Sequence, residues 1–214
     1  MNTILFAIGW GLAGAAAGWF LRWGSVRLAR LEELEPGSRP WQVYGPPILA
    51  AVLFLAFALH LGPSVPLFVR SLFVLVLVQV IFFDFEHRLI LDRVMFPAMG
   101  FALLVSLFGH PWWAGVATGL AVGLLFIVLA LAGAAIFKAE ALGFGDVKLA
   151  IFMGLLLGPL PTIQALFYGV LLAGLVAIGV IVWHRSMKGS IAYGPYLAAG
   201  ALIMLFQIPT GGPA

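Results

Sequence analysis

The sequence predicts an all-α fold, a polytopic membrane helical bundle with about eight transmembrane segments. Hydrophobic residues make up 64% of the 214 residues and charged residues only 9%, whereas soluble domains carry roughly 25% charged residues. Apolar runs of about 17 to 25 residues are long enough to cross a bilayer. The predicted segments are 2–21, 46–62, 67–83, 94–109, 113–136, 147–158, 162–183 and 194–208.

The sixth predicted segment is short for a full span, because Gly158-Pro159-Leu160-Pro161 separates it from the seventh. We therefore expect it to be tilted or only partly immersed. Glycines recur at four-residue spacing in the first and fifth segments, namely Gly14, Gly18, Gly115, Gly119 and Gly123. This spacing permits close helix packing, but glycine is also simply frequent in membrane helices, so both interpretations stay open.

The basic residues indicate an orientation. Of the 11 Lys and Arg residues, all but Arg70 lie in the odd-numbered loops between the predicted segments or, like Lys148, directly beside one, and the acidic residues lie in these loops too. Because cytoplasmic loops are enriched in Lys and Arg, we expect these loops on the cytoplasmic side. The first of them, 22–45, is the longest, and its part Arg27 to Glu35 is expected to form a short surface helix ended by Pro36-Gly37.

One bundle accounts for the whole chain, so we predict a single integral-membrane domain over 1–214, in contact with membrane lipid. The net charge of +3 comes from loop residues, so no nucleic-acid partner is expected. The chain has no cysteine, which excludes disulfides, zinc–thiolate sites and a cysteine nucleophile. The oligomeric state is left open.

Two of the predicted cytoplasmic loops carry candidate catalytic acids. Asp84 ends the third segment and Asp146 begins the sixth, so both are predicted at the same depth and on the same side. Two carboxyls a few ångströms apart do not both ionise easily, so one keeps its proton. The ionised partner can then take a proton from water while the protonated one polarises a peptide carbonyl. This pattern is typical of aspartyl proteolysis.

Several other interpretations of these loops are open. Asp146 can be only the N-cap of a helix, and Asp84, Glu86, His87 and Arg88 can be only a solvated loop. Together with Asp146, the carboxyls and the imidazole can also bind a divalent metal, but no paired-histidine motif supports this, so no metal and no other cofactor is predicted. Competing functions are a small proton-coupled transporter and a non-catalytic subunit of a pilus or secretion machine.

Three motifs together resemble the signatures of the type IV prepilin peptidases, which are membrane aspartyl endopeptidases of the Gly-x-Gly-Asp group. They are the Asp84 loop, Gly143-Phe-Gly-Asp146-Val-Lys148 and Tyr193-Gly-Pro-Tyr196. The resemblance covers about 80 to 208 and is strongest at 140–149. It implies that Asp84 and Asp146 are the catalytic pair. The residues expected to bind substrate or shape the site are Gly143, Gly145, Lys148, Glu140, Asp92 and Glu86.

The resemblance also implies a substrate, a type IV prepilin or pseudopilin precursor cut at the cytoplasmic face of a bacterial or archaeal inner membrane. The catalytic core would be about 67–208, behind a reduced N-terminal region, 1–66. Glu86, Asp92 and Glu140 are expected to attract a Lys/Arg-rich leader, unless they only balance the basic residues around them. The first loop has no cysteine pairs, and Tyr44-Gly-Pro-Pro-Ile48 lacks the acid that many family members carry. Methylation of the new N-terminus with S-adenosylmethionine is therefore not expected.

Overall fold

A computed structural model describes residues 3–109, 111–137, 143–184 and 192–208. These residues form eight α-helices and no strand, which confirms the predicted all-α fold. The helices are α1 (Thr3–Leu31), α2 (Pro40–Leu61), α3 (Val65–His87), α4 (Asp92–Ser106), α5 (Ala114–Phe137), α6 (Phe144–Leu157), α7 (Pro159–His184) and α8 (Gly194–Gln207).

The eight helices correspond in order to the eight predicted segments. Five helices of the described chain, α1, α2, α3, α5 and α7, are long and apolar enough to cross a membrane. The protein is therefore a multi-pass membrane protein. Helices α4, α6 and α8 are shorter, with 15, 14 and 14 residues. The short sixth segment was predicted, and it ends where Gly158 adopts φ 74 before α7 begins at Pro159.

The predicted bounds of the first loop, 22–45, are wrong. Helix α1 continues to Leu31 and α2 begins at Pro40, so only residues 32–39 connect them. No separate surface helix forms over Arg27 to Glu35, because most of that stretch is the end of α1. The helix continues past the apolar run because two of its polar residues have buried partners. Ser25 Oγ lies 2.8 Å from Gln79 Oε1, and Arg22 bonds Glu86.

The chain divides into two compact units, the first of which is Met1–Arg88 and contains α1, α2 and α3. Helices α1 and α2 meet at glycines. A Cβ atom on Gly14 would lie 2.7 Å from the carbonyl oxygen of Ala50, and one on Gly18 would lie 2.6 Å from Pro47 Cα. The four-residue glycine spacing in α1 therefore has a packing function, since it allows the two backbones to touch.

The second unit is Leu89–Ala214, and α6 lies at its centre. Helices α4, α5, α7 and α8 all pack against α6, and a Cβ atom on Gly154 of α6 would lie 2.6 Å from Gly119 Cα of α5. Thr162 is fully buried beyond the C-terminal end of α6, and its hydroxyl donates to the carbonyl oxygen of Gly158. Asp146 therefore lies near the start of the helix against which the other four helices of this unit pack. The single domain over 1–214 stays a prediction.

Candidate active site

Asp146 lies in the first turn of α6. The N-cap of that helix is Gly143, with an extended backbone at φ −75 and ψ 148. The backbone N–H of Asp146 lies 3.1 Å from the Gly143 carbonyl oxygen. The interpretation of Asp146 as the N-cap is therefore wrong. Asp146 is the third residue of α6, and its carboxyl makes a hydrogen bond with the Gly143 backbone at the positive end of the helix.

The environment of Asp146 favours its protonated form. Asp146 precedes the apolar segment 147–158, and burial raises the pKa of its carboxyl to about 6, against the opposing effect of a hydrogen bond with the Gly143 backbone. The sequence predicted a raised pKa for one acid, but for a different reason, namely repulsion from a second carboxylate. A carboxyl with a pKa near 6 can act as a general acid close to neutral pH.

The two glycines of the Gly143-Phe-Gly-Asp146 motif differ in their surroundings. A Cβ atom on Gly145 would lie 2.9 Å from Ile90 Cβ, which no ordinary packing tolerates. A Cβ atom on Gly143 would meet nothing nearer than Asp146 Oδ2 at 3.7 Å. Gly145 is therefore required for the first turn of α6 to approach the residues that precede α4. The predicted close approach of substrate to these glycines stays a prediction.

Lys148 and Asp92 form an ion pair that joins the N-terminal ends of α6 and α4. The ammonium group of Lys148 also lies 5.2 Å from the centre of the Phe96 ring, a cation–π contact. The Asp92 side chain is 54% exposed and that of Lys148 is 24% exposed. Both residues were predicted to shape the site. Their pairing puts a fixed positive charge one half-turn after Asp146 while leaving much of the Asp92 carboxylate in contact with solvent.

Asp84 lies in the last turn of α3 rather than in a loop. Its carbonyl oxygen accepts a hydrogen bond of 2.8 Å from the Arg88 N–H, and Arg88 ends the helix in the left-handed conformation at φ 54. Asp84 is only 5% exposed. The interpretation of this stretch as a solvated loop is therefore wrong for Asp84, which is held in a helix and shielded from water.

Glu86 has three contacts inside the first unit. Its Oε2 atom lies 3.0 Å from Arg22 Nη1, its Oε1 atom accepts from the Gly37 backbone N–H, and His87 Nε2 lies 3.2 Å from Oε1. The Glu86 side chain is 5% exposed. The carboxylate is thus occupied by partners from α1 and from the 32–39 connection.

The residues predicted for the site fall in the two units separately. Asp84 and Glu86 belong to Met1–Arg88, and the remaining described ones to Leu89–Ala214. Glu140 lies outside the described residues. The pairing of the Asp84 and Asp146 carboxyls stays a prediction. Among the side chains that the structure describes, no group of three or more His, Cys, Asp or Glu is arranged to hold a metal ion.

Comparison with known protein families identifies the family to which this chain belongs. Residues 71–178, about half of the chain, match the model of the type IV leader peptidase family. The chain belongs to the type IV leader peptidase family. No curated protein and no solved structure matches it. The predicted resemblance is confirmed, and family membership makes the protein a peptidase whose expected substrate is a protein.

The matched range of this family member includes both candidate acids, Asp84 and Asp146, and the glycines between which Phe144 lies. It excludes Arg22 and Gly37, which bond Glu86 and which sequence reasoning did not select. No sequence signal distinguishes Arg22 from Arg27, because both follow the same apolar run. Only the continuation of α1 as one helix aligns Arg22 with Glu86.

Proposed function

We propose that the protein is a membrane aspartyl endopeptidase that removes the leader of type IV prepilin-like precursors at the cytoplasmic face of an inner membrane. The observation that carries the proposal is the family match over residues 71–178, which spans Asp84 and Asp146. The raised pKa of Asp146, about 6, supports it further, because an acid that keeps a proton near neutral pH is one half of an aspartyl mechanism.

The two acids would have different roles. Asp146, in its protonated form, donates to the carbonyl oxygen of the scissile peptide bond. Asp84, ionised, takes a proton from a water molecule as the water oxygen bonds to the carbonyl carbon. The carbon–nitrogen bond of the tetrahedral intermediate then breaks, and the proton taken by Asp84 leaves on the new amine. The carbonyl re-forms as a carboxyl group, and Asp146 recovers its proton.

The cytoplasmic assignment follows from charge. The basic residues at the end of α1, Arg22, Arg27 and Arg30, would lie on the same side as Arg88 and Lys148. A precursor whose leader remains in the cytoplasm and whose apolar helix stays in the bilayer would present their junction at this level. Asp84 at the end of α3 and Asp146 at the start of α6 would lie at that level too.

A basic leader would be attracted by the acids that keep exposed charge. Asp92 is the best candidate among the described residues, because its side chain is 54% exposed even with Lys148 beside it. Glu140 is proposed for the same role on its sequence position alone. If this is correct, replacing the Lys and Arg residues of the leader with Gln raises KM several-fold, and Asp92→Asn reproduces part of that rise. A cleavage rate indifferent to leader charge removes both acids from substrate binding.

The test is co-expression with a candidate prepilin precursor, followed by N-terminal sequencing of the product. We expect a single new N-terminus where the leader meets the apolar helix, and no product with Asp84→Asn or Asp146→Asn. An uncleaved precursor beside a folded, membrane-inserted wild-type protein would reject that precursor, and failure across several prepilin-like precursors would reject the function. A non-catalytic assembly subunit would keep its function in both Asn variants.

A further inference from the structure

The contacts of Glu86 extend to two parts of the chain that carry no candidate catalytic group. Arg22 comes from the second half of α1, and Gly37 from the 32–39 connection. Arg22 also donates from Nη2 to the Gly37 carbonyl oxygen, so both polar backbone atoms of Gly37 are bonded within this cluster. Arg22, Gly37 and Glu86 therefore form a closed ring of hydrogen bonds, which we name the Arg22 clamp.

The clamp acts on the last turn of α3. Glu86 is two residues beyond Asp84, and α3 ends at His87. The final turn of a helix frays readily, because its carbonyl groups lack partners within the helix. Here the C-cap residue that follows the helix, Arg88, has φ 54, a conformation that non-glycine residues adopt at a cost. An anchor on Glu86 opposes fraying of the turn that carries Asp84.

The geometry of the clamp suits an anchor better than a binding site for a basic leader. Both Glu86 oxygens already accept hydrogen bonds, and its side chain is 5% exposed. Removing one partner of a buried charge pair leaves the other charge uncompensated, which is strongly destabilising, so loss of Arg22 should disturb the turn that carries Glu86. An arginine fixes position better than a lysine can, since its planar guanidinium bonds Glu86 and Gly37 at the same time.

We propose that Arg22 and the Gly37 backbone position Asp84 through Glu86, by holding the last turn of α3 in the geometry that peptide cleavage needs. Arg22 is thus a positioning residue and Glu86 its link to the acid. The catalytic consequence rests on the proposed function. Because misplacing a reacting group by about 1 Å can reduce a rate on the order of 100-fold, loss of the clamp should lower kcat and leave precursor binding unchanged.

The kinetic test compares substitutions of the two clamp side chains, Arg22 on α1 and Glu86 on α3, with a control on α1. We expect Arg22→Gln and Glu86→Gln each to lower kcat about tenfold or more, with KM for the precursor within twofold of wild type. The double variant should be no worse than either single one, because both remove the same clamp. Compared with Arg22→Gln, Arg22→Lys should recover part of kcat.

Arg27→Gln is the matched control. Arg27 is an exposed arginine on α1 whose guanidinium lies over Trp23, and the variant should keep the kcat of the wild type. A kcat within twofold of wild type in Arg22→Gln, or a rise in KM instead of a fall in kcat, would overturn the proposal.

A second readout does not depend on peptidase activity. The chain has no cysteine, so Phe85→Cys offers one unique site for a nitroxide label, on a 45% exposed residue of the turn in question. We expect the label to become more mobile in Arg22→Gln and to stay as in wild type in Arg27→Gln. Unchanged mobility in Arg22→Gln rejects the clamp even if cleavage is lost. If the label becomes more mobile in Arg22→Gln but the wild-type protein cleaves no prepilin-like precursor, the proposed function is rejected and the clamp is retained. If Arg22→Gln does not insert, Glu86→Gln, which keeps the side-chain shape, gives the same two readouts.

Discussion

The Ile90 side chain packs on the Gly145 backbone so closely that a Cβ atom on Gly145 would lie 2.9 Å from Ile90 Cβ. Because the obstructing atom is next to the backbone and not at a flexible side-chain end, Gly145→Ala must displace the first turn of α6, which carries Asp146. Overpacking of this kind typically costs about 1 to 3 kcal/mol. We expect Gly145→Ala to reduce both thermal stability in detergent and precursor cleavage.

Gly143→Ala is the matched control for this prediction. Gly143 has an ordinary backbone conformation at φ −75, and its Cβ atom would meet nothing within 3.7 Å. We expect cleavage and stability close to those of wild type. Equal losses in the two variants would mean that the motif glycines serve the substrate and not the packing of α6 on Ile90.

The two proposed catalytic acids should be individually essential. Asn keeps the shape of Asp but cannot exchange the proton that hydrolysis requires. Asp84→Asn and Asp146→Asn are therefore each expected to reduce cleavage on the order of 10²- to 10⁴-fold, the usual contribution of one acid–base group. Both should still insert and elute as folded protein. Substantial turnover in either variant would remove that residue from the mechanism.

The raised pKa of Asp146 predicts a pH dependence of stability. An unfolded aspartate has a pKa of about 3.9, whereas the folded value is about 6. As pH rises from about 4 to 6, the unfolded chain releases this proton first, so folding stability falls, on the order of 2 to 3 kcal/mol from this residue. Asp146→Asn removes that loss. It should unfold at a higher temperature than wild type at pH 8 and at an equal temperature below pH 4. A variant less stable than wild type at pH 8 would contradict this.

The contact between α5 and α6 should be sensitive to substitution of Gly154, where the backbones of the two helices touch. Gly154→Ala places a Cβ atom 2.6 Å from Gly119 Cα, and a backbone atom cannot move aside without separating the helices. A loss of about 1 to 3 kcal/mol is expected. Gly174→Ala is the matched control, because its Cβ atom would meet nothing within 4 Å in α7, and a helix gains roughly 0.5 to 1 kcal/mol from this change. Thermal unfolding of both variants tests the difference.

The proposed lack of methyltransferase activity is tested with purified protein. Incubation with a precursor and S-adenosylmethionine should release the leader and leave the new N-terminus unmethylated. The expectation depends on the short 32–39 connection and on the absence of an acid near Tyr44. An N-methylated product, detected as a gain of one methyl mass, would show that the reduced N-terminal region is sufficient for the transfer.

The helices could be predicted from the sequence because the apolar runs and the Gly158-Pro159 break are local signals. The position at which α1 ends could not be predicted in this way. Apolarity stops at Leu21, and the helix continues because Arg22 and Ser25 have partners on α3, which is a tertiary effect. In the same way, the motif around Asp146 identified the candidate acid, but only the structure shows that Gly145 contacts Ile90 and that burial is the cause of the raised pKa.

Helix α4, which overlaps the membrane segment predicted at 94–109, is too short to cross a bilayer. Its 15 residues extend about 23 Å at 1.5 Å per residue, against a hydrocarbon core of about 30 Å. It nonetheless exposes apolar side chains such as Phe101 and Leu104. Lipids next to a helix with this hydrophobic mismatch shorten, and the bilayer thins around it. Thinning moves the headgroup boundary toward the bilayer centre. Hydrolysis consumes one water molecule for each peptide bond, and the deformed bilayer beside α4 would bring that water to bonds that an undisturbed membrane keeps dry.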